Sequence, residues 1–274
     1  MVDIKSAFEM IRPFNSLFAG VAVLVGIYVE AGAAAVYGPI GIFAFFSVVL
    51  ITAAGNIFND YFDLESDAIN KPKRPIPSGR ISENAALMLG FALGFIGIFA
   101  AYSINKNTML LGLINLTMLY FYSRIKEKTP FGNLVVAYLT GSIFLFGGFA
   151  AGSLAKVGVL AELAGLATLA REITKDIEDE KGDKFKKTTL ATYYGDRIAG
   201  IVGGVVLVST IFLSILPLKK AFFGTGYLYA IFVADCIFAY CAYRLVAAPA
   251  TYASDVQRLE KFGMLVALVA FVLG

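Results

Sequence analysis

The chain has 274 residues, of which 58% are hydrophobic and 16% are charged, and its net charge is +3. Soluble domains carry roughly 25% charged residues, so the composition excludes an ordinary soluble protein, and we expect no nucleic-acid partner. The chain contains no histidine, which removes the commonest general base and the usual zinc or haem ligand. Any metal site must therefore be built from oxygen ligands.

Apolar runs of about 18–25 residues recur along the whole chain, and each is long enough to cross a bilayer as a helix. They predict an all-α membrane protein with nine transmembrane helices in a single domain, residues 1–274. The first run has no cleavage site and is followed by further runs, so it predicts a retained helix after an interfacial segment, residues 1–13. The predicted spans are residues 14–32, 36–60, 84–103, 107–124, 131–151, 154–176, 196–216, 222–245 and 258–274.

The lysines and arginines predict the orientation of these spans. Of the 23 in the chain, all but four fall at the N-terminus, in the connections after spans two, four, six and eight, or at the helix ends beside them. The positive-inside rule then predicts that the N-terminus and these loops are cytoplasmic and that the C-terminus is outside. The four exceptions are Lys106, Lys156, Lys219 and Lys220.

The second predicted span ends in an acidic segment, residues 59–67. On a helix, Asn59, Asp63 and Asp67 share one face, and Asp60 projects beside them. Oxygen-bearing side chains so close to one another repel unless a cation lies between them. The segment therefore predicts a metal site at the edge of the membrane.

A second element lies at the cytoplasmic end of predicted span four, where Tyr122 and Lys126 are four residues apart. On a helical extension the phenol and the ammonium group would lie together. The alternative is an interfacial tyrosine beside a lysine whose charge reaches the water, which is common at membrane edges. Both interpretations stay open.

Span six ends in a second acidic segment, residues 172–183, in which Asp176, Asp179 and Asp183 share a helical face. Both halves of the chain thus have an apolar helix, carboxylates at its end and then a cationic loop. Two such clusters suit Mg²⁺, which takes oxygen ligands and completes its shell with water and phosphate. Cations beside them suit phosphate, so a lipid-linked diphosphate is the predicted substrate, and a solvated interfacial rim is the alternative.

Two carboxylates lie within predicted spans, Asp235 in span eight and Glu162 in span six. A carboxylate inside a membrane indicates a functional site by default. The alternative is a hydrogen bond to a neighbouring helix or a protonated side chain.

These segments resemble the motifs of the UbiA superfamily of intramembrane prenyltransferases. Asn59, Asp60, Asp63 and Asp67 match its first motif, NDxxDxxxD, and residues 176–183 match its second acidic motif. Tyr122 and Lys126 match a YxxxK element of several branches, and the Pro-Ile-Pro-Ser-Gly that follows the first motif is also similar. The order of residues 171–179 looks most like that of the archaeal branch.

The resemblance implies a UbiA-like helical bundle with a central lipid-accessible cavity and a cytoplasmic loop cap. It implies transfer of geranylgeranyl from its diphosphate to the free hydroxyl of geranylgeranylglyceryl phosphate, a lipid phosphate acceptor. On this hypothesis Mg²⁺ assists ionisation of the diphosphate. The expected metal ligands are Asn59, Asp63, Asp67, Asp176, Asp179 and Asp183. The expected catalytic residues are Asp60, Asp63, Asp176, Tyr122 and Lys126, with Asp60 and Asp176 as alternative proton acceptors. The expected phosphate contacts are Lys73, Arg74, Arg124, Lys126 and Lys187.

Three other functions compete with this one. An aromatic acceptor, such as a quinone or haem precursor, would need the same diphosphate chemistry. A membrane phosphatidyltransferase would carry a glycine- and arginine-bearing aspartate motif, which the chain lacks. An ion-coupled transporter would carry charges near the midplane of the membrane and broken helices in both halves, whereas these acids cluster at helix ends.

Overall fold

A computed structural model describes residues 3–126, 129, 131–183, 188–219 and 222–274, without the side chains of residues 181–183. All regular secondary structure in these residues is helical. The α-helices are α1 Ile4–Met10, α2 Pro13–Ala31, α3 Ala33–Tyr37, α4 Pro39–Phe62, α5 Leu64–Asn70, α6 Glu83–Tyr102, α7 Lys106–Ile125, α8 Gly132–Ala151, α9 Val157–Asp183, α10 Leu190–Tyr194, α11 Asp196–Leu213, α12 Leu216–Lys219, α13 Thr225–Ala247 and α14 Pro249–Leu273.

Nine helices of the described residues have 18 residues or more, and each overlaps one predicted span. Six helical segments are long and apolar enough to cross a membrane: Pro13–Ala31, Pro39–Phe62, Glu83–Tyr102, Gly132–Ala151, Asp196–Lys219 and Thr225–Ala247. The helices α7, α9 and α14 carry more polar residues, so nine crossings stay a prediction, as do the central cavity, the loop cap and the orientation.

Two helices extend well beyond their predicted spans. Helix α9 continues through the second acidic segment to Asp183, and α14 begins at Pro249 rather than near residue 258. Hydropathy indicates burial in lipid, whereas charged residues such as glutamate and lysine are good helix formers. Proline at the first helical position of α14 needs no hydrogen-bond partner for its nitrogen. The polar ends of both helices were therefore missed by a criterion based on apolar residues.

The first of two compact units comprises Met1–Ile125 and Ile143–Ser153. Helix α4 packs against α2, α6 and α7 in this unit, and its buried side chains include Ile51, Ile57 and Phe58. Helix α6 approaches α4 closely at Gly97, where a Cβ atom would lie 3.0 Å from the carbonyl oxygen of Ser47. The apolar side of α4 thereby fixes the position of the acidic segment at its end.

Helix α1 is fastened to the loop that follows the first acidic segment. Asp3 caps α1, and the hydrogen bond from the Ser6 hydroxyl lowers the pKa of Asp3. Arg80 forms an ion pair with Glu9 at 2.9 Å and donates from Nη2 to the carbonyl oxygen of Lys73 at 2.7 Å. These contacts fix the conformation of the basic loop between α5 and α6.

The second unit comprises Lys126–Ser142 and Leu154–Gly274. Helix α9 packs against α11 and α14, and α13 packs against the same two helices. A Cβ atom at Gly200 would collide with the carbonyl oxygen of Leu245, so glycine is needed where α11 meets α13. The fully buried Glu260 of α14 accepts a hydrogen bond from Thr174 Oγ1 of α9 at 3.0 Å.

Candidate active site

The first acidic segment follows one helical path through two helices. Asp63 lies between the end of α4 at Phe62 and the start of α5 at Leu64. The backbone N–H of Asp63 still donates to the carbonyl of Asn59 at 2.9 Å, and that of Asp67 donates to Asp63 at 2.8 Å. Asn59, Asp63 and Asp67 therefore lie at successive turns, although the regular helix is interrupted at Asp63.

Arg74 joins two of the carboxylates. Its Nη1 donates to Asp60 Oδ1 at 3.1 Å and also donates to Asp67 Oδ2. Asp60 and Asp67 are only 6% and 5% exposed, so the guanidinium group compensates charge that water does not reach. Arg74 was predicted as a phosphate contact; in this structure it binds the acidic segment itself.

Arg12 is a second partner of Asp60, which sequence reasoning missed. Its Nη2 donates to Asp60 Oδ1 at 2.5 Å. Arg12 has a φ of 48°, a left-handed conformation that costs a residue with a side chain roughly 1–2 kcal/mol. Asn56 Nδ2 donates to the neighbouring carbonyl of Ile11 at 3.0 Å and so helps to fix this turn. The only sequence signal is a cation just before the first apolar run.

These two ion pairs bear on the predicted role of Asp60 as a proton acceptor. Transfer of a proton to Asp60 would remove the charge that its ion pairs with Arg12 and Arg74 depend on. In this structure Asp60 orients Arg12 and Arg74, and its role as a proton acceptor stays a prediction.

Helix α7 brings a third element to the first acidic segment. Ser123 Oγ lies 2.7 Å from Asn59 Oδ1 and 2.7 Å from the carbonyl oxygen of Leu119, and its single proton can be donated to either. Tyr122 directly precedes Ser123 and is half-buried, and Arg124 directly follows it and is exposed. Lys126 follows the end of α7. The end of α7 thus lies against Asn59 through Ser123, and the roles of Tyr122 and Lys126 stay predictions.

Four aromatic rings surround the last turns of α4. Phe58 lies 5.1 Å from Phe91 and 5.3 Å from Tyr120, and Phe62 lies 5.2 Å from Tyr120. Aromatic faces attract cations and tolerate apolar chains. This cluster places such faces next to the residues of the first motif.

The second acidic segment lies wholly within α9. Asp176 is 4% exposed and accepts a hydrogen bond from Asn133 Nδ2 at 2.7 Å, whereas Asp179 is exposed. Asn133 was not predicted, and its only signal is an amide in the first turn of an apolar span. The side chain of Asp183 and the whole of Lys187 lie outside the described residues.

The donor chemistry of both segments fits Mg²⁺. Among the described residues, no group of three or more His, Cys, Asp or Glu side chains could hold a metal ion unaided. Magnesium is usually bound by one or two carboxylates together with water and substrate phosphate, rather than by a closed protein cage. The carboxylate and amide oxygens of the two segments are therefore suitable ligands for Mg²⁺, and the neighbouring guanidinium groups are suitable partners for phosphate.

The two carboxylates within predicted spans have different surroundings. Asp235 Oδ2 accepts from Ser214 Oγ at 2.8 Å, and Tyr227 donates its hydroxyl to the carbonyl of Ser214 at 2.8 Å. This network favours the interpretation that Asp235 forms a hydrogen bond to a neighbouring helix rather than a functional site. Glu162 is exposed on α9.

Comparison with known proteins agrees with the motifs. The model of the UbiA prenyltransferase family matches residues 19–266. Digeranylgeranylglyceryl phosphate synthase of Methanothrix thermoacetophila is 42% identical over 270 residues, which are 97% of each chain. A solved structure described as that of digeranylgeranylglyceryl phosphate synthase in membranes has a TM-score of 0.92 at 34% identity and covers 100% of this chain and 99% of its own.

A more distant structure shares the fold. The UbiA homologue of Archaeoglobus fulgidus bound to GPP and Mg²⁺ has a TM-score of 0.64 at 16% identity, and the match covers 97% of this chain and 99% of that one. Together with the long apolar helices, the family match identifies a multi-pass membrane enzyme.

Proposed function

The chain belongs to the UbiA prenyltransferase family, and we propose that it transfers geranylgeranyl from geranylgeranyl diphosphate to the free hydroxyl of geranylgeranylglyceryl phosphate. The identity of the acceptor is supported by similarity over 97% of both chains, at 42% identity, to an enzyme that is named for the product of this reaction. The product would be a glyceryl phosphate with two ether-linked chains. We propose that the N-terminus and the basic loops are cytoplasmic, as the charge distribution favours.

We assign the oxygen-bearing side chains of both motifs to Mg²⁺. When bound, Mg²⁺ would neutralise the charge that develops on the diphosphate as its bond to carbon breaks. Within the first motif, Arg12 and Arg74 hold Asp60 and Asp67 in fixed positions, so the segment does not rearrange when the anion arrives. The proposed ligands are Asn59, Asp63, Asp67, Asp176, Asp179 and Asp183.

We propose that the diphosphate itself is contacted by lysines and arginines near the two motifs. Lys73 and Arg124 are exposed beside the first motif, whereas Arg74 acts mainly through the carboxylates that it holds. Lys126 is assigned to the same role with Tyr122, and Lys187 is assigned from the sequence alone. Their positive charges would stabilise the charge that develops on the leaving diphosphate.

Asp176 is the proposed proton acceptor. The reaction forms a bond between the acceptor oxygen and the prenyl carbon, breaks the bond from that carbon to diphosphate, and releases the hydroxyl proton. We assign this proton to Asp176, whose buried carboxylate is oriented by a hydrogen bond from the amide of Asn133. The rings of Phe58, Phe91 and Tyr120 would shield the positive charge on the allylic group.

The direct test uses purified protein, labelled geranylgeranyl diphosphate and two acceptors, geranylgeranylglyceryl phosphate and an aromatic quinone precursor. We expect label in the lipid phosphate only, loss of transfer with EDTA, and recovery on addition of Mg²⁺. Transfer to the aromatic acceptor at an equal rate would favour the competing function. Transfer that persists in EDTA would contradict the assignment of Mg²⁺.

Replacement of Asn133 by alanine tests the positioning of Asp176. Loss of the amide removes the hydrogen bond to Asp176 while leaving every proposed ligand in place, and comparable supporting partners are worth about 10–100-fold in activity or metal affinity. We expect a fall in kcat of about tenfold, with partial recovery in Asn133→Gln. A change in KM for geranylgeranyl diphosphate with an unaltered kcat would contradict a role through Asp176.

A further inference from the structure

A cavity lies where α13 ends and α14 begins, within the second unit. Its volume is about 330 Å³, and its lining includes Tyr240, Arg244, Tyr252, Asp255 and Arg258. The roles proposed above use none of these residues. The opening thus contains two guanidinium groups and two phenol rings to which the proposed prenyl transfer gives no role.

Arg244 is held rigidly in this cavity. The guanidinium carbon lies 3.9 Å from the ring centroid of Tyr252 and 4.9 Å from that of Tyr240, and Arg244 also donates to the Tyr240 hydroxyl. Stacking orients the planar group and leaves its remaining N–H donors for another acceptor. Binding of an anion to Arg244 would therefore cost little side-chain entropy, because the guanidinium group is already ordered.

Arg258 and Asp255 complete the opening, and both are exposed. Neither belongs to an ion pair among the residues that the structure describes. The two arginines outweigh the single carboxylate, so the opening favours an anion. Asp255 adds an acceptor for a hydroxyl group, such as that of a glycerol headgroup.

The position of the cavity identifies the source of the anion. Helix α13 is one of the six helices apolar enough to cross a membrane, and Tyr240 and Arg244 lie in its last two turns. Tyrosine rings and arginine side chains are typical of the headgroup level of a bilayer. We propose that this cavity binds the phosphate headgroup of an anionic membrane lipid.

The test measures lipid binding to the purified full-length protein in a neutral detergent by native mass spectrometry. The probes are phosphatidic acid, phosphatidylcholine and inorganic phosphate. We expect phosphatidic acid to bind more tightly than phosphatidylcholine and to withstand an equal concentration of inorganic phosphate. Competition by inorganic phosphate at that concentration would overturn the assignment to a lipid.

Single variants then locate the binding. Arg244→Gln and Arg258→Gln are each expected to weaken phosphatidic acid binding about fivefold, the effect of one cation near an anionic surface. Asp255→Asn is expected to strengthen it, and Lys261→Gln, an exposed cation on the same helix, serves as the matched control. Prenyl transfer measured without phosphatidic acid should stay near that of the unmodified protein.

Arg258 is exposed, so its replacement tests the proposal even if the Arg244 variant fails to fold. Binding within twofold of the unmodified protein in Arg258→Gln, or an equal loss in Lys261→Gln, would overturn the proposal. These outcomes are independent of the proposed transfer reaction, because each is read from lipid binding alone.

Discussion

Replacement of Asp63 by alanine is expected to lower geranylgeranyl transfer by at least about 100-fold, because a metal ion supplies several kcal/mol of charge stabilisation. Asp63 lies at the junction of α4 and α5, on the helical path that also carries Asn59 and Asp67. Its carboxylate is half-buried. We therefore expect the Asp63 carboxylate to contact Mg²⁺ together with Asn59 and Asp67.

The measurement is the rate of transfer as a function of Mg²⁺ concentration. Asp63→Asn keeps one oxygen ligand and should need more Mg²⁺ for half-maximal rate, whereas Asp63→Ala should not recover at any concentration. Glu65→Gln is the matched control, since Glu65 is an exposed carboxylate two residues from Asp63, in the first turn of α5. Turnover of Asp63→Ala near that of the unmodified protein would remove Asp63 from the metal site.

The helices could be predicted because each depends on a local pattern. Runs of apolar residues locate the nine long helices to within a few residues at most ends, since a helix in lipid must satisfy its own backbone groups. The exceptions, the end of α9 and the start of α14, are polar helical turns that hydropathy does not detect. The motif spacing likewise predicted that Asn59, Asp63 and Asp67 would lie at successive turns.

The partners of the site residues could not be predicted in the same way, because they depend on distant segments. Arg12 reaches Asp60 from a position 48 residues earlier, and Asn133 reaches Asp176 from 43 residues earlier. No spacing rule connects residues that meet only through the packing of helices. The basic loop illustrates the same limit: its composition indicates cations for phosphate, and its folding brings Arg74 back onto the carboxylates.

Replacement of Arg74 by glutamine is expected to reduce both stability and transfer. Asp60 keeps its contact with Arg12, but in the described part of the chain Arg74 is the one cation paired with Asp67. Removal of one partner of a buried ion pair costs about 3–5 kcal/mol, and partial exposure of Arg74 reduces this to about 2–3 kcal/mol. We expect the Tm to fall by about 5 °C or more, as measured by reaction of a thiol dye with the buried Cys241 in protein whose exposed Cys236 has been replaced by serine.

A second substitution separates the two effects. Asp67→Asn in the Arg74→Gln background removes the unpaired charge, so the double variant should regain much of the lost Tm, as a coupled pair does in a double-mutant cycle. Transfer should stay low in it, because both the carboxylate and its guanidinium partner are gone. Lys71→Gln, an exposed cation in the same loop, is the control for stability. If the double variant is less stable than Arg74→Gln by the full cost of Asp67→Asn alone, the two side chains are not coupled, and Arg74 must act on the diphosphate instead.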